Sequence, residues 1–218
     1  MAKKPTGAKP AAGSSPGPNP AAGGQRPSKG ERLAAQRRAE NMRRWRNRAI
    51  AAVAAIAIVA GITLNVAASR ARRDDLARDL TATGCRYDRS SDPGSTHVAG
   101  ATYRVNPPTG GDHDPSPSPA RAYNEADVPT DPHVVHSLEH GFVALWYRPD
   151  LPTDKLAQLE AIQNRFDNDV LLLPRPGLPT PIAATAWHQR LQCDQPAETT
   201  LTRFVTAFAN KGPERVPH

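Results

Sequence analysis

The sequence contains only two cysteines, Cys85 and Cys193, and this scarcity excludes several kinds of site. Their spacing fits neither a C-x-x-C redox motif nor a cluster of thiolate ligands for zinc. Both cysteines follow the uncharged segment at residues 49–68, and their number is even. If the region after that segment lies in an oxidising compartment, the pattern predicts a disulfide, with two unpaired buried thiols as the alternative.

Acidic residues are almost absent from the first 48 residues, which hold Glu31 and Glu40 against twelve lysines and arginines. From residue 69 onward, sixteen lysines and arginines are balanced by nineteen acidic residues, a net charge of −3. The formal net charge of +7 therefore belongs to the N-terminal segment. Because the excess charge is not on the part that folds, we predict no nucleic-acid partner.

The N-terminal segment has two parts. Residues 1–29 lack the apolar side chains that offset the cost of ordering a backbone, and we predict a disordered cytoplasmic tail. Residues 30–48 contain helix-forming residues and an arginine cluster at positions 37, 38, 43, 44, 46 and 48. This basic juxtamembrane cluster either sets membrane topology alone or also attracts anionic lipid, at about 1 kcal/mol per basic residue near the surface.

Residues 49–68 contain no charged side chain. Twenty helical residues, at about 1.5 Å each, match a hydrocarbon core of roughly 30 Å, so we predict a single transmembrane helix with the lipid bilayer as its partner. The basic bias before the segment predicts a cytoplasmic N-terminus and an extracytoplasmic C-terminal domain. The alternative is a cleaved signal peptide ending at the small residues Val66 and Ala68, but the basic segment is unusually long for one.

Downstream of a predicted linker at residues 69–94, residues 95–215 have the pattern of a small α+β domain. Short apolar runs predict buried strands, and apolar residues at helical spacing predict amphipathic helices. The predicted strands are residues 142–147, 170–173 and 182–187, and the predicted helices follow a cap at Thr153 and cover residues 201–208. This order implies one crossover and one hairpin, with helices on one face of a mixed sheet. Residues 88–135 read as loops around short extended pieces such as residues 101–105.

Histidines are concentrated in the loop-rich region and just after it. His136 and His140 share one face of the chain in either a helix or a strand, so both geometries can direct two imidazoles toward one metal ion. His113 is the expected third ligand, from the preceding loop. Imidazole ligands suit copper or zinc, among other transition metals. The alternative is that these histidines only hydrogen-bond loops, without a metal.

The spacing H-x-x-E-H at residues 136–140 also matches a peptidase motif in which Glu139 activates water on zinc. Such a site needs a supporting helix and a third ligand, whereas here Gly141 and an apolar strand pattern follow at once. We therefore keep the metallopeptidase as a remote alternative and assign no catalytic residue.

Five strings resemble a bacterial and actinobacterial family known as domain of unknown function 3105. The strings are NPPTGGDH at 106–113, VHSLEHGFVALWYRPDLP at 135–152, LLLPRPGL at 171–178, ATAW at 184–187 and KGPE at 211–214. Members of the family are similar in architecture, with a basic tail, one span and then the domain. The family typically reads closer to NPPTSGPH and VHNLEHG, whereas this chain has Gly111-Asp112 before His113 and Ser137 in place of the usual asparagine. The resemblance implies a fold and a location but no activity.

The leading hypothesis is a histidine-based metal-binding or sensing accessory domain at the cell envelope. The alternative is a docking subunit of a membrane protein complex, in which the histidines are structural.

Overall fold

The structure is a computed structural model that describes residues 26, 28–81 and 84–214. The chain divides into two units, Met1–Thr63 and Leu64–His218, and the division falls within helix α1, Lys29–Thr81. By length and composition α1 is a candidate membrane span and is compatible with a single-pass anchor. The predicted disorder of residues 1–29 concerns residues that, apart from 26, 28 and 29, lie outside the described part of the chain.

The second unit is built on a five-stranded mixed sheet. Its elements after α1 are β1 Cys85–Asp88, α2 Asp131–Glu139, β2 Val143–Tyr147, α3 Thr153–Arg165, β3 Val170–Pro174, β4 Ile182–Ala186, β5 Gln189–Cys193 and α4 Glu198–Phe208. The strand order is β1-β5-β4-β2-β3. Strands β2 and β3 are parallel, and the other pairs are antiparallel.

The predicted α+β class with a mixed sheet is confirmed. The crossover is β2–α3–β3, as expected for parallel strands. The hairpin joins β4 to β5, a strand that the sequence analysis missed because only Leu191 and Cys193 in it are apolar. Strand β4 pairs with β2 on the side away from β3.

Each face of the sheet carries its own apolar core. On one face Val143, Leu145 and their neighbours pack against α3, α4 and the last turns of α1. On the other face Trp146 and Leu171 pack against α2 through Val134 and Leu138. The expectation of helices on one face holds for α3 and α4, whereas α2, which had not been assigned as a helix, covers the opposite face. The continuous burial of residues 143–146 in β2 explains this, because a strand buried on both sides needs cover on both.

Three local expectations need correction. Thr153 does not cap α3, because Pro152 occupies the N-cap position and no side chain bonds the first turn. Residues 101–105 are irregular and form no strand. Residues 69–94 are not a linker, since they contain the end of α1 and strand β1, and Leu80 is fully buried in the core.

The predicted pairing of Cys85 with Cys193 is present as a disulfide. The two cysteines face each other across β1 and β5, with Cα atoms 4.3 Å apart. The bond closes a sequence separation of 108 residues and joins the edge strand β1 to its neighbour β5.

Candidate metal centre

Helix α2 settles the geometry that the sequence left open between helix and strand. Its first residue, Asp131, accepts two hydrogen bonds from Arg175, with Nη1–Oδ1 and Nη2–Oδ2 distances of 2.6 and 3.0 Å. The helix ends before Gly141, whose φ of 98° favours glycine. One turn apart, His136 and His140 direct their rings to the same place, and their Nε2 atoms lie 2.9 Å apart.

The loop at residues 106–113 delivers His113 to this helix. Its first side chain, Asn106, accepts a hydrogen bond of 2.7 Å from Arg175, the arginine that also binds the start of α2. Gly110 passes so close to His188 that a Cβ atom there would meet the imidazole ring. The loop is therefore held between the sheet and α2, and this explains the tight Pro- and Gly-rich string.

His113 brings a further histidine into the cluster. Its backbone forms a parallel bridge with His97, in which His113 N donates to Thr96 O at 3.0 Å and Val98 N donates to His113 O at 2.7 Å. The His97 ring consequently lies 4.8 Å from the His113 ring and 4.7 Å from the His136 ring, measured between centroids.

Two histidines in this cluster have a defined tautomer when neutral. His113 Nδ1 lies 2.8 Å from Gly111 O, and His136 Nδ1 lies 2.7 Å from Asp114 O. A carbonyl oxygen only accepts hydrogen bonds, so each Nδ1 carries the hydrogen. The Nε2 atom of each neutral ring therefore presents a lone pair, which is the usual arrangement of a metal-binding histidine and its supporting carbonyl.

Glu139 contributes a carboxylate oxygen at the same point. Its Oε2 lies 2.9 Å from His113 Nε2 and 3.7 Å from His97 Nε2. The His113 side chain is fully buried, and its Nε2 makes no aligned hydrogen bond in the part of the chain that the structure describes, although Glu139 is close. In the neutral tautomer, a nitrogen lone pair thus faces a carboxylate oxygen, and this contact is repulsive unless a cation lies between them.

The donor atoms are spaced as ligands of one ion. One ligand atom from each of His97, His113, His136 and Glu139 lies within 4.8 Å of every other. For comparison, tetrahedral ligands about 2.1 Å from zinc are about 3.4 Å apart. The cluster therefore needs only small side-chain movements to surround an ion.

A second group of possible ligands overlaps the first. His136, His140 and Glu214 also bring their ligand atoms within 4.8 Å, and His140 Nε2 lies 3.2 Å from Glu214 Oε2. The C-terminal segment reaches this point because Glu214 N donates to Glu139 O at 3.2 Å. Since the single Nε2 lone pair of His136 can bind one ion, the two groups compete for it.

The family comparison covers this whole arrangement. The profile of the family described as Protein of unknown function (DUF3105) matches residues 96–217. The chain belongs to the DUF3105 family. Comparisons with curated proteins and with solved structures gave no match. The DUF3105 region begins next to His97 and includes Glu214, so every residue of both ligand groups lies inside it.

Electrostatics in the DUF3105 domain favour a neutral His136. The pKa of His136 is lowered from its ordinary value, mainly by burial and further by the nearby rings of His140, His113 and His97. The hydrogen bond to the Asp114 carbonyl acts in the opposite direction without cancelling this shift. A neutral imidazole is the form that binds metal.

The structure brings together two of the three predicted ligands, His113 and His136, with Glu139. His140 lies beside them in the second group. His133, the fourth histidine of the region, instead places Nδ1 2.7 Å from Ser116 O and takes part in neither group.

Sequence reasoning missed two residues of the DUF3105 site, His97 and Glu214. Glu214 lies in the KGPE string, so the resemblance contained a signal that its position matters. His97 stands alone in the sequence, and only the bridge to His113 places it in the cluster.

Proposed function

We propose that the DUF3105 domain binds one transition-metal ion, zinc or copper, through His97, His113, His136 and Glu139. One observation carries the proposal: the buried Nε2 of His113 lies 2.9 Å from a carboxylate oxygen without an aligned hydrogen bond. Imidazole and carboxylate donors together suit both metals.

A metal-free alternative is an ion pair between a protonated His113 and Glu139. That pair would direct an N–H of His113 at the carboxylate oxygen, whereas the contact lacks the alignment of a hydrogen bond. It would also bring a positive ring within 5.0 Å of the His136 ring, measured between centroids. A metal ion satisfies both imidazoles and the carboxylate at once, and for this reason we favour it.

The proposed role is metal binding or sensing. In the peptidase interpretation Glu139 is the general base, and His136 and His140 are the ligands. The Glu139 carboxylate instead lies 2.9 Å from Nε2 of His113, within the spacing of two ligands of one ion. His113, His136 and Glu139 are buried while the His97 side chain is 43% exposed, so the ion enters and leaves past His97.

We further propose that α1 anchors the domain with its N-terminus in the cytoplasm, which puts the metal site at the outer face of the membrane. Support comes from the twelve basic residues before residue 49 and from the disulfide, which belongs to an oxidising compartment. A reporter enzyme that is active only outside the cytoplasm tests the orientation. It should work when fused after His218 and fail when fused near the N-terminus, and the reverse pattern rules this orientation out.

Calorimetric titration of the untagged full-length protein with zinc and copper tests the binding proposal. His113→Gln and His136→Gln should each weaken binding by more than about 100-fold, beyond the 10–100-fold typical of losing a supporting partner. His133→Gln is the matched control, since His133 lies one turn before His136 on α2 but outside the cluster. Equal binding by wild type and both ligand variants would return the histidines to a structural role and favour the docking-subunit alternative.

A further inference from the structure

A cleft between α1, β1 and α4 lies apart from the histidine cluster. Its volume is about 510 Å³, within the range of roughly 300–1,000 Å³ typical of ligand pockets. The apolar part of the lining includes Leu76, Tyr87 and Phe208, and the rings of Tyr87 and Phe208 stack with centroids 6.1 Å apart. Ala77 is also apolar, and the other lining residues are polar and mostly charged.

Three arginines line the cleft, Arg70 and Arg73 from α1 and Arg89 from the segment after β1. Within residues 28–81 and 84–214, none of the three forms an ion pair, whereas Arg78 and Arg203 on the neighbouring surfaces are both paired with aspartates. The lining contains one acidic residue, Asp74, so its formal charge is +2. This balance calls for an anionic ligand.

The position of the cleft along α1 identifies the source of that anion. The uncharged segment ends at residue 68. Arg70 lies two residues beyond it, about 3 Å along a helix, and Arg73 lies five residues beyond it, about 8 Å along a helix. The headgroup layer extends about 5–8 Å beyond the hydrocarbon on each side of a bilayer. If α1 spans the membrane, both arginines therefore lie at the depth of lipid phosphates.

We propose that this cleft binds the headgroup of an anionic phospholipid. The phosphate is held by Arg70, Arg73 and Arg89, and the part of the headgroup beyond the phosphate packs on Leu76 and Phe208. This site is distinct from the attraction of lipid to the arginines of residues 30–48, which precede the uncharged segment. It is also independent of metal binding, so either proposal can fail alone.

The test is native mass spectrometry of the full-length protein in detergent, titrated with phosphatidylglycerol or phosphatidylcholine. We expect tighter binding of phosphatidylglycerol, and Arg70→Ala, Arg73→Ala and Arg89→Ala should each weaken it about fivefold, as expected for about 1 kcal/mol per arginine. Arg72→Ala is the matched control, because Arg72 lies on the same turn of α1 but faces a different groove, beside Arg203. The N-terminal arginines remain in every variant and contribute equally.

Three results overturn the proposal. An equal loss of phosphatidylglycerol affinity in Arg72→Ala would show that the lipid is attracted only by the overall positive charge of the helix. Unchanged phosphatidylglycerol binding in the three cleft variants would show that the cleft is not the site. Displacement of the lipid by glycerol 3-phosphate at equal concentration would show a site for soluble anions. Circular dichroism of each variant confirms that the fold is retained.

Discussion

His113 and Glu139 meet in the interior of the domain, with Nε2 and Oε2 2.9 Å apart, although they come from a loop and a helix that are 26 residues apart in sequence. The Nδ1 hydrogen of His113 is used on Gly111 O, so the neutral ring offers a lone pair to a carboxylate. The metal proposal follows from this contact. It makes Glu139, and not Glu214 of the second group, the acidic ligand of the ion.

Replacing Glu139 or Glu214 by glutamine tests which of the two ligand groups binds the ion. Glu139→Gln should weaken zinc binding by at least about 10-fold, because it removes a buried charged ligand. Glu214→Gln should change affinity much less, because the Glu214 side chain is 52% exposed and belongs to the second group. Competition of each variant with a chelator of known affinity measures both. A larger loss in Glu214→Gln would move the site to His140 and Glu214.

The C-terminal segment crosses the end of α2 so closely that Gly212 has no room for a side chain. A Cβ atom there would overlap Glu139 O and Gly141 N. Gly212→Ala should destabilise the domain by about 1–3 kcal/mol, as overpacking does, and should weaken metal binding by shifting Glu139. Urea unfolding and metal titration measure the two effects. Gly30→Ala makes the same change at an open site and should have neither effect, and a stable Gly212→Ala protein with unchanged affinity would contradict the account.

The disulfide should contribute strongly to stability. A bond across a separation of 108 residues lowers the conformational entropy of the unfolded chain. In the chain-entropy treatment this stabilises the folded state by about 4–5 kcal/mol. Cys193→Ser should therefore lower the melting temperature, and a reductant should do the same to the wild type. Adding Cys85→Ser to Cys193→Ser should cause little further loss. Two free thiols in denatured protein that was purified from the membrane without reductant would contradict this pairing.

His188 gives a pH dependence that can be checked without metal. Burial lowers the pKa of His188 from its ordinary value of 6.5, and the positive charge of Arg89 lowers it further. The unfolded state then binds the proton more readily than the folded state. The contribution of His188 to the free energy of unfolding is therefore complete above pH 6.5 and is lost as the pH falls below that value. His136 shifts in the same direction, so His188 accounts for only part of the loss.

The check is urea unfolding at pH 7.5 and pH 5 with a chelator present. His188→Asn suits this backbone, whose φ is 60°, and it should reduce the loss of stability on acidification. Arg89→Ala should act in the same direction, more weakly. An identical loss of stability in wild type and His188→Asn would show that His188 does not titrate in this way.

The sequence predicted the elements whose pattern is strong and local. Strand β2 and helix α4 follow directly from an apolar run and a one-sided apolar stripe. Helix α2 was left open because H-x-x-E-H puts His136 and His140 on one face in either geometry, and only packing of Val134 and Leu138 on the sheet decides. Strand β5 was missed because a mostly polar strand carries little periodic signal.

The candidate site was predicted in part for the same reason. His113, His136 and His140 were recognisable because histidines are crowded in that stretch of sequence. His97 enters through a single backbone bridge with His113, and the Glu214 side chain enters because Gly212 lets the chain cross α2. Such long-range contacts leave no spacing pattern in a sequence.

Elemental analysis of untagged full-length protein, purified from membranes without chelator, tests the metal proposal most directly. The account predicts about one zinc or copper ion per wild-type chain and per His133→Gln chain, and far less in His113→Gln and Glu139→Gln proteins that retain their circular dichroism. Wild-type protein that carries no metal, and takes none up on dialysis against zinc or copper, would contradict it.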